Sequence, residues 1–496
     1  MSTAQMTPRR FSDIVAGDDA NPRRWLILAV ICAAALMIVL DTTVMNLALP
    51  SAQRALGFTN ADRQWIVTAY SLSFGSLLLF CGRLADLIGR KVTFLAGLAG
   101  FAVASAVGGA AVSFPMLVTA RACQGVFAAL LAPSALSLLT TTFTNPKERG
   151  KAFGVYGAVA ASGAGLGLLI GGALTSYASW RWCLYINLVF AGIAITGGAM
   201  LLGRQPRTPG ARLDVPGVAA VSAGMFCLVY GFSNASTHSW HTTSTWGALA
   251  AGAVLLITFA GWQARATHPL LPPRVILDRN RAGAYLTMLI FGSALFGIYL
   301  FLIYYMQLNL GYSAIRSGVA LLPLVAVTGV MANVGNIKLM PRFGPKPLIG
   351  LGLACNAVGM VWLTRIGVHS DYASALLGPL VVIGFGSGLI YSAAANTGTF
   401  AVAPRDAGVA SASINTGQQL GGAIGTALLN TIAASAATSY LASHLHGRPA
   451  LLAHLALIHS YTTVFWWCAG IFAAGAVICG ALLRRGPLTR PGDIAG

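Results

Sequence analysis

Twelve acidic side chains occur in 496 residues, few enough to weigh one by one. Asp13, Asp18, Asp19, Asp62, Glu148, Asp278, Asp371, Asp406 and Asp493 stand in polar stretches, Asp86 in a short charged segment, and Asp214 before an apolar run, where it is placed to cap a helix. Asp41 alone lies deep inside an apolar run, IVLDTTVMNLALP (38–50), and Arg121 is the one basic residue similarly placed. If the first run rises as a helix toward Pro50 and the other descends from Pro115, the helical rise puts the two side chains about 13 and 9 Å below the same surface. A lone charge near the centre of a bilayer costs roughly 2.5–3.5 kcal/mol on insertion scales, so each must face the other, a wet cavity, or both. Apolar surroundings favour the neutral carboxyl, and a neighbouring guanidinium favours the carboxylate. A pair whose separation changes would therefore bind and release a proton, whereas a static pair would only order two helices. Gln124, one turn from Arg121, and Asn46, near the face of Asp41, are placed to extend the pair into a polar network.

The elements that must hold this pair are membrane helices. The chain is 56% apolar and only 9% charged, with a mean hydropathy of +0.73, which excludes an ordinary soluble protein. Apolar runs long enough to cross ~30 Å of hydrocarbon recur along it. They number fourteen: 25–48, 64–82, 92–112, 115–139, 151–175, 182–203, 215–233, 246–264, 283–306, 317–337, 347–365, 374–396, 409–434 and 461–483. The fold class expected is an all-α polytopic membrane protein, with the first run retained as a helix because no small-residue cleavage site follows it.

The net charge of +19 would suggest a nucleic-acid partner in a soluble protein. Its distribution argues for a membrane instead. With both termini cytoplasmic, the tails and alternate loops on that side hold 24 of the 31 basic residues, the opposite side holds six (Arg54, Arg63, Arg181, Arg316, Arg365, Arg448), and Arg121 is left within a span. That asymmetry follows the positive-inside rule and requires an even number of crossings. The eight cysteines lie in or at the edges of runs without ligand spacing and read as small apolar fillers.

An internal repeat divides the chain. SGAGLGLLIGGAL (162–174) aligns without a gap on TGQQLGGAIGTAL (416–428), matching Gly163/Gly417, Gly167/Gly421 and Gly171/Gly425 at an offset of 254 residues, and GRLADLIGRK (82–91) matches IKLMPRFGPK (337–346) at nearly the same offset. The organisation expected is a tail (1–23), a six-helix bundle (24–203), a linker with two further membrane helices (204–282), a second six-helix bundle (283–484) and a tail (485–496). Gly163, Gly167 and Gly171 fall four apart on one helix face and invite close approach of another helix. GxGxG-type strings inside apolar helices with no preceding strand are not nucleotide motifs, and no GxxxxGK[ST] occurs. No metal site, cofactor or enzyme activity is expected, since no nucleophile–base constellation stands out and His444, His446, His454 and His459, around the segment 437–460, lack a defined ligand spacing.

GRLADLIGRK resembles the signature loop of the major facilitator superfamily, with Gly82 and Gly89 for a tight turn and Asp86, Arg90 and Lys91 as its charges. LDTTVMNLALP (40–50), WIVTAYSL (65–72), LVTARACQG (117–125), the glycine-rich 154–172 run, WRWCLYIN (180–187) and YSAIRSG (312–318) resemble, in order, the signatures of its fourteen-helix drug:proton antiporter branch, EmrB/QacA-like. The resemblance implies two six-helix bundles plus two intervening helices, with roles in proton coupling and substrate for Asp41 and Arg121, a gating role for the signature loop, and an antiporter helix carrying Gly154, Gly163, Gly167, Gly171 and Gly172. Two departures stand out. The family's Pro in that helix is Leu168 here, and Pro341 replaces Asp86 in the second copy of the loop.

The expected function is proton-coupled efflux of small lipophilic drugs or secondary metabolites across a bacterial plasma membrane by alternating access, with protons and the bilayer as partners, no nucleic acid, and a monomeric carrier. Asn46, Tyr70, Gln124, Tyr304, Tyr305, Gln307, Asn333 and Asn396 are the candidate cavity liners. A lipid or metabolite carrier of the same fold is the alternative encouraged by Leu168, and a membrane sensor or enzyme is the alternative of another class.

Overall fold

A computed structural model describes residues 23–59, 62–143, 146–203, 214–238, 242–266, 269–271, 273–368, 370–402, 407–444 and 449–486. Every regular element among them is a helix: α1 (Arg24–Leu56), α2 (Arg63–Ile88), α3 (Arg90–Gly109), α4 (Phe114–Thr142), α5 (Pro146–Tyr177), α6 (Trp182–Leu201), α7 (Val215–His238), α8 (Thr243–Arg265), α9 (Pro273–Ile276), α10 (Arg279–Tyr304), α11 (Ala314–Val334), α12 (Met340–Phe343), α13 (Pro345–Leu363), α14 (Gly378–Thr399), α15 (Ala407–Ser443) and α16 (Pro449–Leu482). Single π turns, Tyr305–Asn309, Gly335–Leu339 and Ala373–Leu377, extend α10, join α11 to α12 and lead into α14.

Among the described residues, twelve helical stretches are long and apolar enough to cross a membrane. α2 and α5 are likewise long helices with an uncharged run and charge at one end: α2 closes on GRLADLI and α5 opens on PKERGK. The 82–91 segment is therefore not the open loop expected from the sequence. Its first seven residues finish α2, Gly89 alone makes the turn at φ +110°, and Arg90 and Lys91 begin α3. Lys91 donates from Nζ to the carbonyls of Ala199 (3.1 Å) and Leu202, at the C-terminus of α6, where a cation complements the helix dipole. The side chain of Asp86 lies outside the described residues.

The segment 437–460 also differs from a loop. α15 runs on to Ser443 and α16 starts at Pro449, because hydropathy marks where apolar character ends and not where a helix must stop.

The glycine repeat is a repeat of packing. In the first copy, Gly163, Gly167 and Gly171 lie on α1: a Cβ at Gly167 would stand 1.9 Å from Thr43 Oγ1, and one at Gly171 2.9 Å from Val44 Cα. In the second copy, Gly421 and Gly425 lie on α10, where a Cβ would stand 2.0 Å from Leu289 O and 1.9 Å from Ser293 O. The other side of α5 faces α11, with a Cβ at Gly172 falling 2.5 Å from Ile315 Cα and one at Gly318 falling 2.3 Å from Leu168 O. With Leu168 in place of proline, α5 is continuous from Pro146 to Tyr177.

The α7–α8 hairpin is pinned at both ends. Asp214 accepts from Gly217 N (3.0 Å), capping α7 as expected, and also from Trp262 Nε1 (2.8 Å) and Gln263 Nε2 (2.7 Å) of α8. At the other end Asn234 Nδ2 donates to Ser244 Oγ (2.9 Å) and Thr245 Oγ1 (3.0 Å). The hairpin lies against α2 and α15: Ser222 Oγ donates to Ser76 O (2.8 Å), and Val229 packs with Leu72, Leu420 and Ile424.

Candidate functional site

Five helices converge on Asp41. It projects from α1 and is 1% exposed, facing Arg121 of α4, which is 2% exposed. Arg121 Nη1 donates to Asp41 Oδ2 at 2.5 Å and to Gln124 Oε1 at 2.9 Å, and its Nε donates to the Ile66 carbonyl of α2 at 3.3 Å. Its guanidinium also lies 4.5 Å from the centre of the Tyr70 ring, a cation–π contact that helps to keep a desolvated charge in place.

The other carboxylate oxygen is held by amides. Gln124 Nε2 donates to Asp41 Oδ1 at 3.0 Å and Asn187 Nδ2, from α6, at 2.7 Å. Ser105 Oγ of α3 accepts from both amides, at 2.7 and 3.3 Å. Thus the carboxylate is neutralised by one guanidinium and solvated by two fixed dipoles, which is what a buried ion pair needs to offset desolvation. Gln124 was legible from its spacing to Arg121, but Asn187 and Ser105 were not. Asn187 ends the WRWCLYIN stretch and is the only asparagine or glutamine in its apolar run, a signal that points to the residue without naming its partner.

Asn46 does not close the network. It lines a small gap beside the pair with Thr42, Met45, Val67, Tyr70, Ser71 and Arg121, about 10 Å³ in volume, room for about one water.

Tyr304, Tyr305 and Gln307 sit elsewhere, at the end of the bundle that carries Pro50. There Arg63, one of the six basic residues expected on the external side, is buried at the start of α2. It donates to Gln53 Oε1, and its guanidinium lies 4.0 Å from the centre of the Tyr304 ring. Gln307 Nε2 donates to Leu47 O (3.5 Å), and Tyr305 donates to Gly367 O (2.7 Å) while meeting Tyr461 edge-on. These contacts join α1 and α2 to α10 and its π turn. A cation–π contact of this kind contributes about 0.5–2 kcal/mol. Arg63→Ala is therefore expected to loosen this end of the bundle and to speed maleimide labelling of a cysteine placed at Gln307, in a background where the exposed Cys123 is serine. Unchanged labelling would show that the contact holds nothing shut.

Asn333 is exposed and donates to Gly329 O (2.9 Å) in its own helix, and Asn396 bonds Asn336 and Ser392 O (3.2 Å). Neither shares a partner with Asp41. His444 and His459 flank the Tyr440 ring at 4.2 and 5.1 Å between ring centres, and His446 lies outside the described residues. Among the described residues no group of three His, Cys, Asp or Glu side chains is placed to hold a metal ion.

The sequence profile of the Major Facilitator Superfamily matches residues 31–426. The chain belongs to that superfamily. As a major facilitator it is a membrane transporter and not an enzyme. It is 45% identical over 466 residues to the puromycin resistance protein pur8 of Streptomyces alboniger, covering 93% of this chain and 92% of that protein. It is 39% identical over 423 residues to the cephamycin export protein CmcT of Amycolatopsis lactamdurans, covering 84% and 87%. Among solved structures, an auto-inhibited peptide transporter of the POT family superposes with a TM-score of 0.70 at 16% identity, covering 95% of this chain and 98% of that one. That last likeness concerns the fold alone.

Proposed function

We propose that this major facilitator exports small lipophilic antibiotics or other secondary metabolites from a bacterial cell in exchange for protons, with Asp41 and Arg121 as the coupling pair. The observation that carries the reading is the buried, hydrogen-bonded Asp41–Arg121 pair in a chain whose relatives bear the names of a resistance and an export protein. All fourteen long helices cross the plasma membrane, and both termini lie in the cytoplasm. Residues 24–203 and 283–484 form the two bundles that rock about the site, 204–282 carries the α7–α8 hairpin, and the carrier works as a monomer.

On this topology the Arg63–Tyr304 contact closes the external end, and the substrate would enter from the cytoplasm past the glycine-hinged 82–91 turn. Asn46, Tyr70 and Gln124 meet it beside the pair, with Tyr304, Tyr305, Gln307, Asn333 and Asn396 along the remainder of the path. No acidic residue stands within the second-half helices, which favours neutral or monocationic compounds over dications. Each proton that enters supplies ~2.3 kcal/mol per 100 mV of membrane potential, before the pH gradient is added.

Proteoliposomes test the coupling. Adding puromycin or a cephamycin to wild-type vesicles with an imposed pH gradient is expected to collapse part of that gradient, and Asp41→Asn is expected to abolish both the proton flux and accumulation against a gradient. An Asp41→Asn carrier that accumulates drug as well as wild type would refute the assignment.

A further inference from the structure

Asn187 offers both a donor and an acceptor to the carboxylate site, and only the donor is used. Its Nδ2 donates to Asp41 Oδ1 (2.7 Å), while its Oδ1 is buried without a hydrogen-bond partner. The residue is 0% exposed, and a buried acceptor left unpaired is costly. A proton arriving at Asp41 would meet unequal surroundings at the two oxygens. Oδ2 faces Arg121 Nη1 at 2.5 Å, and a guanidinium has donors only, so an O–H there would point at another donor. Oδ1 faces two amides. Gln124 is committed at both ends, its Oε1 accepting from Arg121 and its Nε2 donating to Asp41 and Ser105. The free acceptor beside Oδ1 belongs to Asn187.

We propose that Asn187 is a positioning residue that responds to the protonation of Asp41: its amide donates to the carboxylate and, once Oδ1 carries a proton, turns about χ2 to accept that O–H. The step is balanced. One proton from the aqueous phase forms the O–H bond, no other covalent bond changes, and the amide exchanges the bonds it donates to Asp41 and Ser105 for bonds it accepts. Ser105 can follow, since its hydroxyl accepts from Asn187 Nδ2 at 3.3 Å in the charged state and can rotate to donate to an amide oxygen. Among the described residues, the charged or titratable neighbours are Arg121 on α4, Tyr70 on α2 and Cys183 on α6. α3 presents the Ser105 hydroxyl and α5 its glycine face.

This inference rests on the coupling reading, and infrared difference spectroscopy of the purified full-length carrier in lipid, between alkaline and acidic pH, separates the two. Wild type is expected to show a carboxylic-acid band that is lost in Asp41→Asn. It is also expected to show a side-chain amide band that shifts on 13C labelling of asparagine and titrates with the same midpoint. The amide band is expected to vanish in Asn187→Leu and in Asp41→Asn. Should Asn187→Leu not fold, the labelled wild-type protein still decides the matter. A carboxylic-acid band without an accompanying asparagine band, or an asparagine band that survives in Asn187→Leu, overturns the role of Asn187 and leaves the coupling reading standing. No carboxylic-acid band at any pH overturns the coupling reading and this inference together.

Discussion

Arg121→Leu is expected to destabilise the protein by about 3–5 kcal/mol, the usual consequence of leaving one partner of a buried ion pair behind, and to abolish export. Asp41 would keep only the Gln124 and Asn187 amides as donors, while the Ile66 carbonyl and Gln124 Oε1 would each lose a partner. Adding Asp41→Asn to the same chain removes the stranded charge. The double variant is thus expected to recover most of its thermal stability without recovering export. Melting in detergent and uptake into inverted vesicles read the two quantities separately. If export returned in the double variant, the pair would be a structural clamp. If stability failed to return, the weight of Arg121 would lie in its bonds to Ile66 and Gln124 and not in its charge on Asp41.

The second large effect is expected at the glycine seam of the second half. Gly421→Ala brings a methyl group to 2.0 Å from the Leu289 carbonyl, and a backbone oxygen within α10 cannot swing aside, so α15 must separate from α10. Overpacking of this kind typically costs about 1–3 kcal/mol and occasionally more. The aligned substitution in the first half, Gly167→Ala, meets the Thr43 hydroxyl at 1.9 Å. That group is the end of a side chain which can change rotamer at the cost of its bonds to Val39 O (3.1 Å) and Leu40 O (3.0 Å). A clearly larger loss of melting temperature for Gly421→Ala than for Gly167→Ala is therefore expected. Gly470→Ala, with nothing within 4 Å, serves as the control. Equal losses at Gly421 and Gly167 would mean that α10 and α15 are free to separate.

Charges in an apolar run announce themselves because their cost demands a partner. That is why Asp41 and Arg121 could be paired across eighty residues from depth and scarcity alone, and the structure brings them to 2.5 Å. Glycines four apart announce themselves because nothing but close packing explains them, and both copies of the repeat lie against a neighbouring helix. Neutral polar residues give no such warning. Asn187 and Ser105 cost little wherever they find a partner, and which partner they find depends on how α3 and α6 are rotated about their axes, which is set by packing across the bundle. By the charge asymmetry Arg63 counts among the external basic residues, yet its burial under Tyr304 depends on the end of α10 reaching the start of α2. The membrane class, the repeat and the buried ion pair are legible from the residues alone, each through a local cost that only one kind of environment relieves. Tertiary structure alone decided the second oxygen's donors, the Arg63–Tyr304 contact and the seat of the α7–α8 hairpin, because each depends on the relative rotation of helices distant in the chain.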